Sequence, residues 1–315
     1  MSKIIALRPS RDTLNPVLLI HVSHRVDCIL LCLRSLERFT NLGRFKAIYV
    51  VADGVGADIA AILYRFMHTR DNVEVIHCSP RGTLPRAGDI LGAILTRHID
   101  DVVISLEEDV FVAPLWLEQL LEGYRLHRTS ADIPLVSALS PVSPAGRFAL
   151  NRHLKSTHPA ERSMFEGGAV EENWVYHRWM WEKVVNENFV ENWIATGPAP
   201  YFYPGFASMD CAVYDRRLIE AMLPLAADKT QEGPGADWVN VTALLMARNW
   251  KNAVVSRSIA HHYSFSTCEE YLRSHVPLDM VWQYLQELWR VEQLKSKSVM
   301  SGRLRSVVAA MGAGS

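Results

Sequence analysis

The chain has 315 residues, 49% of them hydrophobic and 21% charged, with a formal net charge of −1. That length suits two domains or one large α/β unit with a sizeable core, and the near balance of charge removes the case for a general nucleic-acid binder. No stretch approaches about 18 uninterrupted apolar residues, so no membrane-spanning helix is expected, and the apolar run near the N-terminus is too short for a secretory signal.

Residues 16–22 form a short apolar run that fits a buried parallel strand. Val26, Ile29, Leu30, Leu33 and Leu36 then share one face of a helix expected over 25–39. Further strands are expected at 45–52, 73–77, 101–106 and 134–139, and helices at 57–67 and 86–98. Pro114 is expected to open another helix at its favoured first position. Cys28 and Cys32 suit core packing in the first helix. The five cysteines are scattered without a CxxC pair, which points away from a disulfide framework or zinc site and toward a reducing cytoplasm. This alternation calls for a mostly parallel sheet covered by helices on both faces, with ligands bound beyond the carboxyl ends of the strands.

The texture changes from residue 141. Residues 140–157 are rich in Pro, Ser, Gly and Arg and are expected to form a loop. Eight of the nine tryptophans lie at or after Trp174, and most are expected to pack in the core rather than against sugars. A strand at 207–214, helices at 215–223 and 237–249, strand-like runs at 253–255 and 258–264, and a helix at 280–294 follow. The expected organisation is a first half over 1–140, a second over 141–295 and a flexible tail over 296–315.

The residues that follow the strands carry the chemistry. The strand expected near 101–106 runs into Glu107, Glu108 and Asp109, and the chain then turns apolar again. Carboxylates at a strand's end can hold a hard divalent cation that neutralises phosphate oxygens; a solvated acidic turn is the plainer alternative. Asp53 precedes Gly54 at the end of another strand, where it accepts hydrogen bonds from a base or ribose, or makes an Asx turn. Residues 79–89 bring glycines, Arg81 and Arg86 to a helix start, a setting for an anion or an ordinary helix entrance. His261 and His262 are adjacent in a strand-like run, so only one of them faces a given side of the sheet. Asp237 follows Gly233, Pro234 and Gly235 at a helix start. It is either a cap or a carboxylate poised to take a proton, with Glu232 as the fallback.

Together, Asp53, the helix start at Arg86 and the Glu107-Glu108-Asp109 triplet resemble the GT-A glycosyltransferases, especially the family-2-like and N-acetylglucosaminyltransferase I-like groups. The resemblance covers roughly residues 16–265. It implies an α/β, Rossmann-like GT-A fold, with a mostly parallel sheet flanked by helices and a mixed acceptor-side half. It further implies that Asp53, Arg86, Glu107 and Glu108 bind a nucleotide-sugar, with Glu107 facing the ribose. Asp109, with His261 or His262, would hold Mn²⁺ or Mg²⁺, and Asp237 would be the base of an inverting transfer. A UDP-sugar is the expected donor, and a glycan, lipid-linked sugar or protein the acceptor. The triplet departs from the family's DxD pattern by carrying Glu in the first position.

No nucleic-acid partner is expected, a cytoplasmic location is, and peripheral membrane contact stays open. Two other readings remain. A sugar nucleotidyltransferase would want a glycine-rich basic loop after the first strand, where this chain has His21-Val22-Ser23-His24-Arg25. A non-catalytic carbohydrate-binding protein on the same fold would bind nucleotide without turnover. Walker A, GxSxG and GxGxxG patterns are absent.

Overall fold

A computed structural model describes residues 14–79, 84–141, 143–160, 187–196, 200–205, 209–226 and 236–263, with isolated residues elsewhere. The first strands are β1 (Val17–Val22), β2 (Ala47–Asp53), β3 (Val73–Cys78) and β4 (Val103–Glu107). They lie in the order β3-β2-β1-β4 and every pair is parallel. The crossovers contain α1 (Val26–Phe39), α2 (Ala57–His68) and α3 (Ala87–Arg97). Alternation along β1 sends Leu18, Ile20 and Val22 into the core layer shared with α1 and α2, and Val17 and Leu19 into the opposite layer with α3. Both faces are covered, which is why the strand is apolar almost throughout rather than alternating.

Beyond β4 the sheet becomes mixed. β5 (Val110–Val112), β6 (Leu135–Leu139), β7 (Tyr201–Phe202), β8 (Cys211–Tyr214) and β9 (Asn252–His262) continue it in the order β4-β8-β6-β9-β5, with β7 also on β9. β8 runs antiparallel to both β4 and β6, whereas β9 runs parallel to β6. Consequently β9 ends, and β8 begins, at the edge where β1, β2 and β4 end. Among the described residues the later helices are α4 (Trp116–His127), α5 (Pro144–Thr157), α6 (Glu187–Thr196), α7 (Arg216–Ala226) and α8 (Ala236–Ala247). α4 joins α1 and α2 on one face, and α7 and α8 join α3 on the other. α5 and α6 form a third cluster, where Leu150, Leu154, Val190 and Trp193 pack with Leu139 and Ile259.

The fold is the α/β sheet expected, parallel in its first half and mixed in its second. Three local expectations change. The loop expected over 140–157 is largely α5: the Ser143 hydroxyl accepts from Gly146 N–H at 3.0 Å and Pro144 occupies the first turn. Serine and proline there are start signals, and their loop-like composition hid a helix. Gly146 abuts the Ser140 carbonyl so closely that a Cβ would collide with it. Next, the two runs expected after residue 252 are one strand of 11 residues, whose pairing shifts register opposite Ala138 and Leu139. Finally, Pro114 precedes α4 instead of opening it. Leu115 is the N-cap with φ 63°, which turns the chain so that Trp116 is buried and its indole N–H reaches Thr40 Oγ1 at 2.7 Å. The tail expected over 296–315 lies outside the described residues.

Candidate functional site

The carboxyl edge of the parallel strands gathers Ser23 and His24 after β1, Asp53 at the end of β2 and Glu107 at the end of β4. The mixed half adds Asp210, just before β8, and His262, the last residue of β9. The acidic turn is gripped from below by the start of α1. Glu108 accepts from Ser23 N–H at 2.9 Å, from the Ser23 hydroxyl at 2.7 Å and from His24 N–H at 3.3 Å. Arg25 is 5% exposed and its Nη1 lies 3.2 Å from Asp109 Oδ2. The Val112 N–H donates to Ser35 Oγ at 3.1 Å. Buried carboxylates and amides need such partners, and here the segment entering α1, with Ser35 inside it, supplies them for Glu108, one oxygen of Asp109 and the Val112 amide.

His262 completes the cluster. Its Nε2 lies 3.3 Å from Asp109 Oδ1 and 3.7 Å from Glu107 Oε2. One ligand atom each from Glu107, Asp109 and His262 lie within 4.8 Å of one another, close enough to converge on a cation. Asp210 Oδ2 is 3.8 Å from the other ring nitrogen, Nδ1, and the Asp210 carbonyl accepts from Glu107 N–H at 3.1 Å. Burial alone would lower the His262 pKa, but Asp109 and Asp210 raise it to about 10. Burial, then the charge of Asp210, push Glu107 up to about 8. Burial also disfavours ionised Asp109, yet His262 and Arg25 outweigh it and hold its carboxyl below the usual range. The cluster thus attracts positive charge, whether a proton or a cation. Two carboxylates and an imidazole form an oxygen and nitrogen donor set that suits Mn²⁺, with the imidazole less suited to Mg²⁺.

The sequence-derived residues are distributed unevenly around this cluster. Glu107, expected to face a ribose, sits with Asp109 and His262. Glu108, expected on the nucleotide side, is turned onto the entrance of α1 because the backbone N–H groups there need an acceptor. Of the two histidines, His262 joins the acids, while His261 is fully buried and outside the cluster. Asp53 ends β2, two strands from β4, which sets it about 10 Å across the sheet. Its Oδ1 is buried and has no hydrogen-bond partner among the described residues. Gly54 follows at φ 60°, a left-handed turn that glycine adopts without strain. Arg86 is the exposed N-cap of α3 and makes no side-chain cap bond.

Asp237 is the second residue of α8. Ala207 N–H donates to Thr242 Oγ1 at 3.1 Å, tying the middle of that helix to the segment leading into Asp210. Arg81, Glu232, Trp174 and Trp181 lie outside the described residues. Trp179 and Trp193 are core residues of the third cluster. Asp210 was not singled out by the sequence. Its signal, an acid immediately before a strand, acquires meaning only once that strand is known to run antiparallel.

The sequence matches no known protein family and no curated protein. Among solved structures the fold is similar to the mannosyltransferase PcManGT from Pyrobaculum calidifontis, solved in complex with GDP-Man and Mn²⁺, with 10% identity and a TM-score of 0.46. That similarity covers 80% of this chain and 58% of the mannosyltransferase, so the chain spans less than two thirds of it. A mycobacterial protein is similar at 12% identity and a TM-score of 0.43, over 84% of this chain and 75% of that one. Both likenesses are of general arrangement and assign no residue. Among the described residues, no helix is long and apolar enough to cross a membrane.

Proposed function

We propose that this chain is a divalent-cation-dependent glycosyltransferase using a nucleotide-activated sugar, with a UDP-sugar as donor and inversion as the stereochemical course. The observation that carries the proposal is the convergence of Glu107, Asp109 and His262 at the carboxyl edge of a parallel sheet. Asp109 is held by Arg25 through Oδ2, which leaves Oδ1 on the His262 side. A cation bound by these residues would offset the charge that develops on a diphosphate leaving group.

The remaining roles follow from position and chemistry. Among the described residues Asp53 Oδ1 is buried without a hydrogen-bond partner, and a nucleoside N–H or O–H is the kind of donor that would satisfy it. Arg86, at the N-terminus of α3, adds charge where a phosphate would gain from the helix dipole. Asp237, in the first turn of α8, takes the proton of the acceptor hydroxyl as that oxygen attacks the sugar C1. Glu108 supports the turn rather than the donor. The acceptor is a glycan, a lipid-linked sugar or a protein.

The test is a panel of nucleotide-sugars assayed for hydrolysis with Mn²⁺ and with chelator. The expected result is one donor class consumed only when the cation is present. Failure of every donor to bind or turn over in Mn²⁺ overturns the proposal.

A further inference from the structure

We propose that Asp210 is a positioning residue for the cation site: it keeps the proton of His262 on Nδ1, so that Nε2 is the nitrogen turned toward the cation. The inference rests on the reading of Glu107, Asp109 and His262 as cation ligands. Acids flank the imidazole on both nitrogens, and they divide between them. Glu107 and Asp109 face Nε2, whereas Asp210 faces Nδ1. An imidazole ligates only through a nitrogen that carries no proton, so the neutral ring must carry its proton on the other one, which then needs an acceptor. Asp210 Oδ2 stands at that nitrogen. At 3.8 Å it is an ion-pair contact and not yet a formed hydrogen bond.

The backbone explains why an acid at position 210 reaches this place. β8 pairs antiparallel with β4, Cys211 opposite Leu106, so the residue before β8 lies beside the residue that ends β4. The bond from Glu107 N–H to the Asp210 carbonyl, 3.1 Å, fastens the two backbones together. On the other side, Tyr263 N–H donates to the Asp109 carbonyl at 2.9 Å and fastens the end of β9 to the acidic turn. His262 is therefore held between two anchored backbones, and Asp210 and Asp109 approach its ring from different nitrogens. Such an arrangement decides which proton leaves when a cation binds: the one on Nε2 gives way to the cation, and the one on Nδ1 stays facing Asp210.

The experiment uses the full chain with ¹⁵N-labelled histidine, loaded with Zn²⁺ as a diamagnetic probe, and assigns the His262 signals by their loss in His262→Gln. The expected result in the loaded wild type is a proton on Nδ1 and none on Nε2. In parallel, Mn²⁺ affinity is measured by EPR. Asp210→Ala should weaken it by about 10–100-fold, the scale for an outer partner of a ligating histidine. Asp210→Asn keeps an oxygen acceptor and should recover most of that loss. Wild-type affinity in Asp210→Ala, or a proton on Nε2 in the loaded wild type, overturns the inference. If Asp210→Asn loses as much affinity as Asp109→Asn, Asp210 is itself a ligand and the positioning role is wrong. The tautomer measurement needs no substitution at position 210, so it decides the matter even if Asp210→Ala does not fold. Wild-type protein that binds neither Mn²⁺ nor Zn²⁺ overturns the cation reading itself, and this inference with it.

Discussion

The β3-β2-β1-β4 side of the sheet and the β8-β6-β9-β5 side supply residues to one edge by opposite rules. On the parallel side every strand ends at that edge, so the residues that matter follow a strand: Ser23 after β1, Asp53 at the end of β2, Glu107 at the end of β4. On the mixed side β8 begins there and β9 ends there, so Asp210 precedes its strand while His262 closes its own. The parallel side also provides much of the support, because Ser23, His24 and Arg25 at the entrance to α1, and Ser35 within it, bond to Glu108, Asp109 and the Val112 amide. The difference teaches that the candidate cation site is a seam. One side supplies two carboxylates, of which Asp109 is anchored by Arg25, and the other supplies the histidine and the acid that faces it.

Breaking the seam should have the largest effect. Asp109→Asn removes a ligand charge but leaves an amide oxygen for Arg25. We expect Mn²⁺-dependent UDP affinity to fall by about 100-fold or more, beyond the range for outer-shell partners, while metal-independent binding persists. Calorimetry with and without Mn²⁺ decides it, and unchanged Mn²⁺-dependent affinity removes Asp109 from the site. Asp109→Ala is the poorer variant. It removes the ion pair that Arg25, 5% exposed, makes with Asp109, so a loss of stability would accompany any loss of cation binding.

On the mixed side, Asp237→Asn retains size and much of the capping ability but loses basicity. The expected outcome is a fall in kcat of about 10²-fold or more at saturating donor, with the thermal midpoint unchanged. A variant that melts several degrees lower and still transfers at the wild-type rate would make Asp237 a helix cap only.

A pH series sharpens the comparison, because the proton competes on both sides of the seam. Glu107, raised to about 8, and His262, raised to about 10, both hold protons at neutral pH and must release them to ligate. Raised values mean that protons win at low pH and the cation gains as pH rises. Mn²⁺ affinity should therefore increase by about tenfold or more per unit between about pH 6 and 8. A flat EPR titration over that window would exclude these two residues as ligands.

The smallest expected effect lies away from the seam. Asp53→Ala should weaken UDP binding by about 1–3 kcal/mol, the scale of a lost buried hydrogen bond, equally with and without Mn²⁺. Weakening confined to the Mn²⁺ condition would move Asp53 into the cation shell.

Much of the parallel side was legible in the sequence, and for a local reason. Strands buried on both faces must be apolar runs, and crossover helices must carry one apolar face, so β1 to β4 and α1 to α3 fall within a few residues of their expected places. The mixed side was less legible. α5 was hidden because Ser143 and Pro144 look like loop residues until a helix follows them. The direction of β8 leaves no mark on its own composition.

Sequence by itself determined that three acids end a buried strand and that adjacent histidines near the end of the fold cannot both face them. Only tertiary structure decided where each of these side chains goes. Glu107 turns to His262, Glu108 to the Ser23 and His24 amides ahead of α1, and Asp109 stands between Arg25 and His262. His262 rather than His261 faces the acids because β9 pairs with β5 in that register. Asp210 arrives because β8 runs against β4. Side-chain direction at the end of a strand depends on hydrogen bonds to strands far away in the chain, and no local pattern of residues encodes that pairing.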